Sequence, residues 1–297
     1  MHIAIQWTSA AFHAWLLGTE GTVAAEHQSA HGVNSVGDGG FADALRAEIG
    51  PWLPDAQAIL LSGMVTSRTG WAESPFIMVP AALPDLLTQA VRQDCAGLPP
   101  LYFLPGIARD NPVPDMMRGE EMAIFGAEDR LPDVVILPGT HTKWVKTDGT
   151  SITDIATYMG GEVLNLLKQD SLVSRLIPPG YVPHPEAFER GVLIAQDKTA
   201  LPGGVLQRIF SARSLVLFNR LKPEEITDYL TGLMLGSEIA EAFANMERPS
   251  DIHVLGNGPM AIAYQRALAL FGTAAPTLVS APAKAFANLA AALASSP

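Results

Sequence analysis

The residues best suited to handling phosphate lie together in the run Pro138-Gly139-Thr140-His141-Thr142-Lys143. The Pro-Gly pair gives up one backbone donor and then frees φ. It is followed by two hydroxyls, an imidazole and an ammonium. A turn of this kind at the end of a buried strand makes a small cationic nest for phosphate oxygens. The GxxxxGK[ST] spacing of a Walker A loop is missing, and the motif alone reads equally well as a hairpin with a polar tip. Arg68, in the Gly-bounded loop Gly63–Gly70, presents a planar fork that matches a carboxylate bidentately. Arg109, shortly after Pro105-Gly106, is a second candidate; each also reads as an ordinary surface ion pair. Gly160-Gly161, just before a helical pattern, suggests backbone N–H groups aimed at an anion. Glu162 in the first turn equally suits the helix dipole. Glu120 and Glu121 follow Gly119 and offer a proton acceptor for a reacting hydroxyl, although adjacent glutamates on their own usually mark a solvated helix face. Gly256-Asn257-Gly258 sits between a strand and a helix, which by itself is a weak nucleotide signal.

These groups need a scaffold, and the sequence predicts one twice. Val134–Leu137 is a short β-branched run that reads as a buried strand. Trp144–Thr147 is a second strand, Asp148-Gly149 a hairpin turn and Ser151–Ile155 a third strand. The N-terminal region repeats the pattern. Ile3–Trp7 is a strand and Thr8-Ser9-Ala10-Ala11 a polar turn. Phe12–Leu17 is a strand, Gly18-Thr19-Glu20-Gly21 a turn and Thr22–Glu26 a strand. Trp15 and Trp144 both fall in the second strand. The repeat predicts two related α/β domains, 1–132 and 133–297, each offering one loop to a shared cleft. Between the ribbons, helices are expected from Phe41 to about Gly50, over Leu83–Cys95, and from a cap at Asp115 through Met116, Met117 and Arg118. Strands are expected at Ala58–Leu61 and Leu101–Leu104. Later helices are expected over Val163–Leu176, Phe188–Gln196, Pro223–Met246, Met260–Leu270 and Ala283–Leu293, with a strand at Ile252–Leu255. Gly232 and Gly236 lie at i, i+4 inside the long helix, where glycine costs stability and therefore implies close packing.

Taken together, GMVTSRTGW, MRGEE, LPGTHTKWV, IFSAR, YLTGLMLGSEIAEA and VLGNGPMAIAYQRAL resemble the 2-dehydro-3-deoxygalactonokinase family over nearly the whole length. The resemblance implies an α/β fold of two RNase H-like domains flanking a central cleft, as in actin, Hsp70 and the sugar kinases. The N-terminal domain would be the sugar-acid side and the C-terminal domain the nucleotide side. The implied activity is ATP-dependent phosphorylation of the terminal hydroxyl of 2-dehydro-3-deoxy-D-galactonate to the 6-phosphate in galactonate catabolism, with Mg²⁺. Glu120 would orient or deprotonate the hydroxyl. Glu121 is the runner-up and otherwise a substrate contact, with Asp115 a further carboxylate to weigh. Lys143 would neutralise the transferring phosphoryl group. Arg68 and Arg109 would take the sugar-acid carboxylate, and Trp71 would wall the sugar's carbon face. Thr8, Ser9, Gly139, Thr140, His141, Gly160, Gly161, Gly256 and Gly258 would meet the nucleotide, and the resemblance extends that expectation to Gly232 and Gly236. The metal ligands are unknown. The first loop departs from the family pattern D-W-G-T-T: it reads Gln6-Trp7-Thr8-Ser9-Ala10, with His13 where an Arg is expected. A Gln amide is a weaker ligand than a carboxylate for a hard cation, and Thr8 cannot give the backbone freedom of Gly. A kinase-fold paralogue acting as a binding or regulatory protein is the alternative.

The chain has 297 residues, is 48% hydrophobic and 16% charged, and carries a formal net charge of −11. That suffices for one large or two medium domains and argues against a nucleic-acid partner. An anionic substrate must then be held by locally placed Arg and Lys. The single cysteine, Cys95, precludes an intrachain disulfide and fits a reducing compartment. MHIAIQW lacks a basic leader region and no run reaches transmembrane length, so a cytoplasmic protein off the membrane is expected. The expected partners are a small sugar acid and a nucleotide. The sequence leaves the oligomeric state open, a homodimer included.

Overall fold

Alternating Ile3, Ile5 and Trp7 begin the first core, and strand β1 (His2–Trp7) is buried on both faces because sheet neighbours and helices cover it. A computed structural model describes the chain apart from residues 19–20, 38, 198, 200–202 and 296–297. Thr19 and Glu20 of the expected second turn therefore lie outside the described residues. The first of two units comprises Met1–Leu131, Lys146–Ile155 and Ser280–Pro297. After β1 come β2 (Phe12–Leu17), β3 (Val23–Ser29), α1 (Phe41–Ile49), β4 (Ile59–Ser62), β5 (Ile77–Met78), β6 (Ala81–Ala82), α2 (Leu83–Thr88), β7 (Val91–Gln93), β8 (Leu101–Phe103), β9 (Ile107–Arg109), β10 (Asp115–Met117) and α3 (Glu120–Ala127). The main sheet runs β3-β2-β1-β4-β8-β7. β2 is antiparallel to β1 and β3, while β4 and β8 continue parallel to β1. α1 repeats Phe41, Leu45 and Ile49 at i, i+4 and i+8, and this stripe packs on Ile3, Ile5, Trp7, Leu61 and Phe103. A smaller sheet runs β10-β9-β5.

The second unit comprises Pro132–Val145 and Ala156–Val279. Its elements are β11 (Val134–Leu137), β12 (Thr142–Thr147), β13 (Ser151–Tyr158), α4 (Gly160–Gln169), α5 (Pro185–Gln196), α6 (Val205–Ile209), α7 (Ser211–Leu217), α8 (Ile226–Ala244), β14 (Ile252–Leu255), α9 (Pro259–Leu270) and β15 (Thr277–Leu278). The sheet order is β15-β14-β11-β12-β13, with β14 parallel to both β11 and β15. The tip of the β12–β13 hairpin is counted with the first unit, where Ser151 and Ile152 pair with β6. Numbered within its own sheet, the second unit reads third-second-first-fourth-fifth, the RNase H-like order, and the first reads third-second-first-fourth-sixth-fifth, the same order with the short β7 added antiparallel at the edge beyond β8. The expected duplication is therefore present at the level of topology, and Trp15 and Trp144 both occupy second strands.

The units are not separated by one cut at 132/133. The chain changes unit at 131/132, 145/146, 155/156 and 279/280. The last change arises because helix α10 (Pro282–Ala294) buries Phe286 and Leu289 within the first unit, with Phe286 5.9 Å from the Trp15 ring.

Four local expectations are corrected. Asp115, Met116 and Met117 form strand β10 against β9 rather than a capped helix, and the helix begins only after Gly119, whose φ of 106° reverses the chain. The helix predicted over Leu83–Cys95 stops at Thr88, because Val91–Gln93 pairs antiparallel with β8. The helix predicted to Leu176 stops at Gln169, where Ser171 accepts from the N–H groups of Val173 and Ser174 and starts a turn. Gly232 and Gly236 serve helix–helix contact rather than a nucleotide. A Cβ on Gly232 would lie 1.9 Å from the Phe188 carbonyl oxygen, and one on Gly236 would lie 2.8 Å from Ala195 Cβ. Among the described residues, no helix is long and apolar enough to cross a membrane.

Candidate active site

In the first unit, a knot of close contacts forms at the ends of β1 and β4. Gly63 (φ 95°) approaches Trp7 so closely that a Cβ would lie 2.8 Å from the Trp7 carbonyl oxygen, and a Cβ on Gly119 would lie 3.0 Å from Gly63 Cα. Gln6 donates from its amide to the Gly119 carbonyl at 2.9 Å. Glu121 is wholly buried; its two oxygens take the Gly119 N–H at 2.8 Å each, and Ser62 donates to it at 3.1 Å. Burial, reinforced by the neighbouring Glu120 charge, pushes the Glu121 carboxyl up to about 7. Glu121 has no exposed surface and holds the Gly119 bend. Glu120 remains half-buried at the start of α3, accepting the Arg118 N–H at 2.8 Å.

Arg118 had no assigned role in the sequence, although it lies inside MRGEE. Its guanidinium donates to the Thr66 carbonyl and hydroxyl (2.6 and 2.8 Å) and to the Ser74 hydroxyl and carbonyl (2.9 and 3.0 Å). It also stacks over Phe76 at 4.2 Å. This clamp fixes the loop that carries Arg68 and Trp71 against the start of α3. Arg68 projects into solvent, 86% exposed and only loosely paired with Glu73 at 3.5 Å. Trp71 stacks on Phe41 at 6.0 Å and meets Phe103 edge-on at 5.7 Å, so most of its ring belongs to the core. Arg109 pairs with Asp154 at 3.2 Å, and Asp154 also binds Lys146 at 3.0 Å. The Arg109 Nε is buried without a partner. Thr8 closes its own turn: its N–H donates to the Ala11 carbonyl (2.9 Å) and its hydroxyl accepts from the Ala11 N–H (3.0 Å). Ser9 follows, half-buried, in the same turn.

In the second unit, Gly139, Thr140 and His141 form an exposed loop between β11 and β12. The N-terminus of α4 is pressed against it. Glu162 donates its N–H to the Thr140 carbonyl at 2.9 Å, and its carboxylate meets His141 Nε2 at 2.5 Å. A Cβ on Gly161 would lie 2.2 Å from the Gly139 carbonyl oxygen, and one on Gly160 would lie 2.6 Å from Glu238 Oε2. Both glycines are thus fixed by packing, whatever else they meet. Lys143 is buried in β12 and donates to the Thr157 hydroxyl at 2.8 Å. Gly256 and Gly258 differ from this pair, since a Cβ at either would meet nothing within 4 Å. Gly258 caps α9. A cavity of 410 Å³ is lined by Pro259 and Met260 at that helix start and by Lys168, His184, Asp228 and Arg266. Asp228 accepts from the Tyr181 hydroxyl (2.8 Å) and the His184 N–H (2.5 Å), while the His184 Nε2 is buried without a partner.

The candidate residues thus fall in two loop clusters, one in each unit, and the sequence reading did not single out what supports them. Ser62, Arg118 and Glu238 gave one common signal, a polar group inside an otherwise apolar or Gly-flanked run. The donors present do not form a divalent-cation cage. Gln6 offers a neutral amide already bound to Gly119, and among the described residues no cluster of three or more His, Cys, Asp or Glu has metal-holding geometry.

A family model described as 2-keto-3-deoxy-galactonokinase matches residues 6–292. A Rhizobium meliloti (strain 1021) protein named as a probable 2-dehydro-3-deoxygalactonokinase is 30% identical over 279 residues, covering 90% of this chain and 88% of that protein. The Escherichia coli K12 protein named 2-dehydro-3-deoxygalactonokinase is 28% identical over 275 residues, covering 91% and 90%. A crystal structure from Sinorhizobium meliloti, provisionally named for the same activity, superposes with a TM-score of 0.85 at 28% identity over 100% of both chains.

Proposed function

This chain belongs to the 2-keto-3-deoxy-galactonokinase family, and from that membership we propose that it transfers the γ-phosphoryl group of ATP to the terminal hydroxyl of 2-dehydro-3-deoxy-D-galactonate in cytoplasmic galactonate catabolism. The observation that carries the proposal is the match of the family model across residues 6–292. The first unit takes the sugar acid and the second the nucleotide. Arg68, exposed and weakly paired, receives the carboxylate. Arg109 adds positive charge, and the accessible part of Trp71 meets the sugar's carbons. Glu120 accepts the proton of the attacking hydroxyl. Phosphoryl transfer otherwise asks mainly for positioning and charge neutralisation. In this reading the backbone of Gly139 and the side chains of Thr140 and His141 hold phosphate oxygens, and Lys143 lends charge from beneath the loop. The first-turn N–H groups of Gly160 and Gly161 add to the same cradle. Thr8 and Ser9 contribute from their turn. The open surroundings of Gly256 and Gly258, beside the 410 Å³ cavity, support adenosine there. Magnesium arrives on the nucleotide as part of the substrate, since Gln6 does not supply an anionic ligand.

The test is sugar-acid-dependent ADP release. Arg68→Ala is expected to raise the KM for the sugar acid roughly 10- to 100-fold, the worth of a charge-assisted pair, with little change in the KM for ATP. Absence of ADP release with this sugar acid overturns the proposal. One observation favours a second reading, a paralogue that binds without turnover: the Gln6 amide is tied to Gly119 where the family pattern has an acid. Sugar-acid binding by calorimetry without ADP release would decide for it.

A further inference from the structure

Glu238 lies in the middle of α8, 4% exposed, among apolar residues. Its Oε1 accepts from the Trp144 indole N–H at 2.8 Å and from the Tyr264 hydroxyl at 2.7 Å. Tyr264 also meets the Thr142 hydroxyl at 3.0 Å, and Thr142 closes the loop Gly139–His141 at its base. Its Oε2 has no hydrogen-bond partner and lies against Gly160 in the first turn of α4. One carboxylate therefore touches α9, β12 and the N-terminus of α4. These elements carry the open Gly258 cap, the phosphate loop and the Gly160-Gly161 amides.

An unpaired carboxylate oxygen in that position is costly in either state. Ionised, it is desolvated and lacks a donor. It also occupies from inside the place where the helix N-terminus favours an anion, so it opposes a phosphate approaching from outside. Neutral, it removes that opposition and keeps its two contacts through Oε1. We propose that Glu238 is the positioning residue of the nucleotide half, holding the phosphate loop through Tyr264 and Thr142, and that it takes up a proton when nucleotide phosphate binds at the start of α4. The proposal rests on the nucleotide reading given above. Burial pushes the Glu238 carboxyl up to about 7, with the charge of Glu241 adding to it and the Trp144 and Tyr264 hydrogen bonds opposing it. A bound phosphate moves it further in the same direction. The other charged groups at this junction are Tyr264 from α9, held neutral by burial and by Glu238, the His141–Glu162 pair at the loop and α4, and Lys143 on β12, bound to Thr157.

The experiment is calorimetric titration of ADP into the full chain at pH 7, in two buffers of different ionisation enthalpy, for wild type and Glu238→Gln. Protons released or taken up by ADP itself and by every other group are common to the two proteins, so the difference isolates Glu238. Wild type is expected to take up about half a proton more than the variant. Its ADP affinity is expected to fall roughly five- to tenfold more between pH 6 and pH 8. Equal proton uptake in the two proteins, with ADP bound by both, overturns the proposal while leaving the nucleotide reading intact. No ADP heat from wild type overturns both. Tyr264→Phe provides a second arm that does not depend on Glu238→Gln folding. It breaks the link to Thr142, and ADP affinity is expected to fall about tenfold with the proton uptake retained. A Tyr264→Phe protein with a lowered melting temperature and unchanged ADP affinity shows a merely structural contact and also overturns the positioning role.

Discussion

Replacing Glu121 with Gln should change the stability of the protein by an amount that depends on pH. Glu121 is wholly buried, and its carboxyl is raised from an ordinary 4.5 to about 7. Below 4.5 it is protonated in both the folded and the unfolded chain and contributes no pH dependence. Between 4.5 and 7 the unfolded chain ionises while the native chain keeps its proton, so stability falls as pH rises. Above 7 both are ionised and the loss is complete, on the order of 3 kcal/mol. Gln carries no charge and escapes this loss. It gives up something in exchange, since an amide NH₂ replaces one of the two oxygens that face the Gly119 N–H at 2.8 Å, at a cost of about 1 to 3 kcal/mol. The variant should therefore be the less stable protein at pH 5. Relative to wild type it should gain about 2 to 3 kcal/mol on going to pH 8. Urea unfolding at the two pH values measures this through tryptophan emission, since Trp7, Trp15, Trp52 and Trp71 all belong to the first unit. A difference between variant and wild type that is the same at pH 5 and pH 8 refutes the reasoning.

Other perturbations follow from the same contacts. Glu120→Gln should lower kcat by about 100-fold or more in the ADP-release assay and leave both KM values near wild type, as removal of a general base does. Arg118→Leu strands the Thr66 and Ser74 groups it now satisfies; calorimetric melting should show a loss of about 3 kcal/mol, and kinetics a raised sugar-acid KM through the loosened Arg68 loop. Gly161→Ala forces a Cβ toward the Gly139 carbonyl and should weaken ADP binding, whereas Gly258→Ala, open on all sides, should leave the melting temperature unchanged. If a nucleotide does lie against Gly258, that second variant should still raise the ATP KM. Gln6→Asp replaces the amide donor to Gly119 with a carboxylate facing a carbonyl oxygen, and thermal melting should fall accordingly, by about 1 to 3 kcal/mol.

The duplication was legible in the sequence because each half opens with two hydrophobic strands joined by short polar turns, and that local pattern fixes an antiparallel ribbon. β11 begins and ends where the Val134–Leu137 run does. The long apolar helix was equally plain from its caps and period, but the reason for its internal glycines was not. Gly232 and Gly236 answer to the backbone of Phe188 and Val192 on another helix, and no window of sequence contains that contact. The Asp115 cap failed for a related reason. Asp is a good helix starter by local preference, yet pairing with Ile107–Arg109 takes those residues into a sheet first. The candidate site shows the same division between local and distant signals. Candidate side chains that face solvent, such as Arg68 and Thr140, stand out by type, while Arg118, which ties down Thr66 and Ser74, and the buried Glu238 look like ordinary charged residues until their surroundings are known.

The return of α10 to the first unit has a consequence for how the protein is made. Residues Pro132–Val279 are synthesised before Phe286 and Leu289 exist. During that interval the nascent first unit must keep Trp15 and the Gly126 side of α3 uncovered, since these meet Phe286 and Ala281 in the finished fold. Although synthesised first, it is completed last, and the surface that waits for its final helix is where a chaperone would be expected to hold the growing chain.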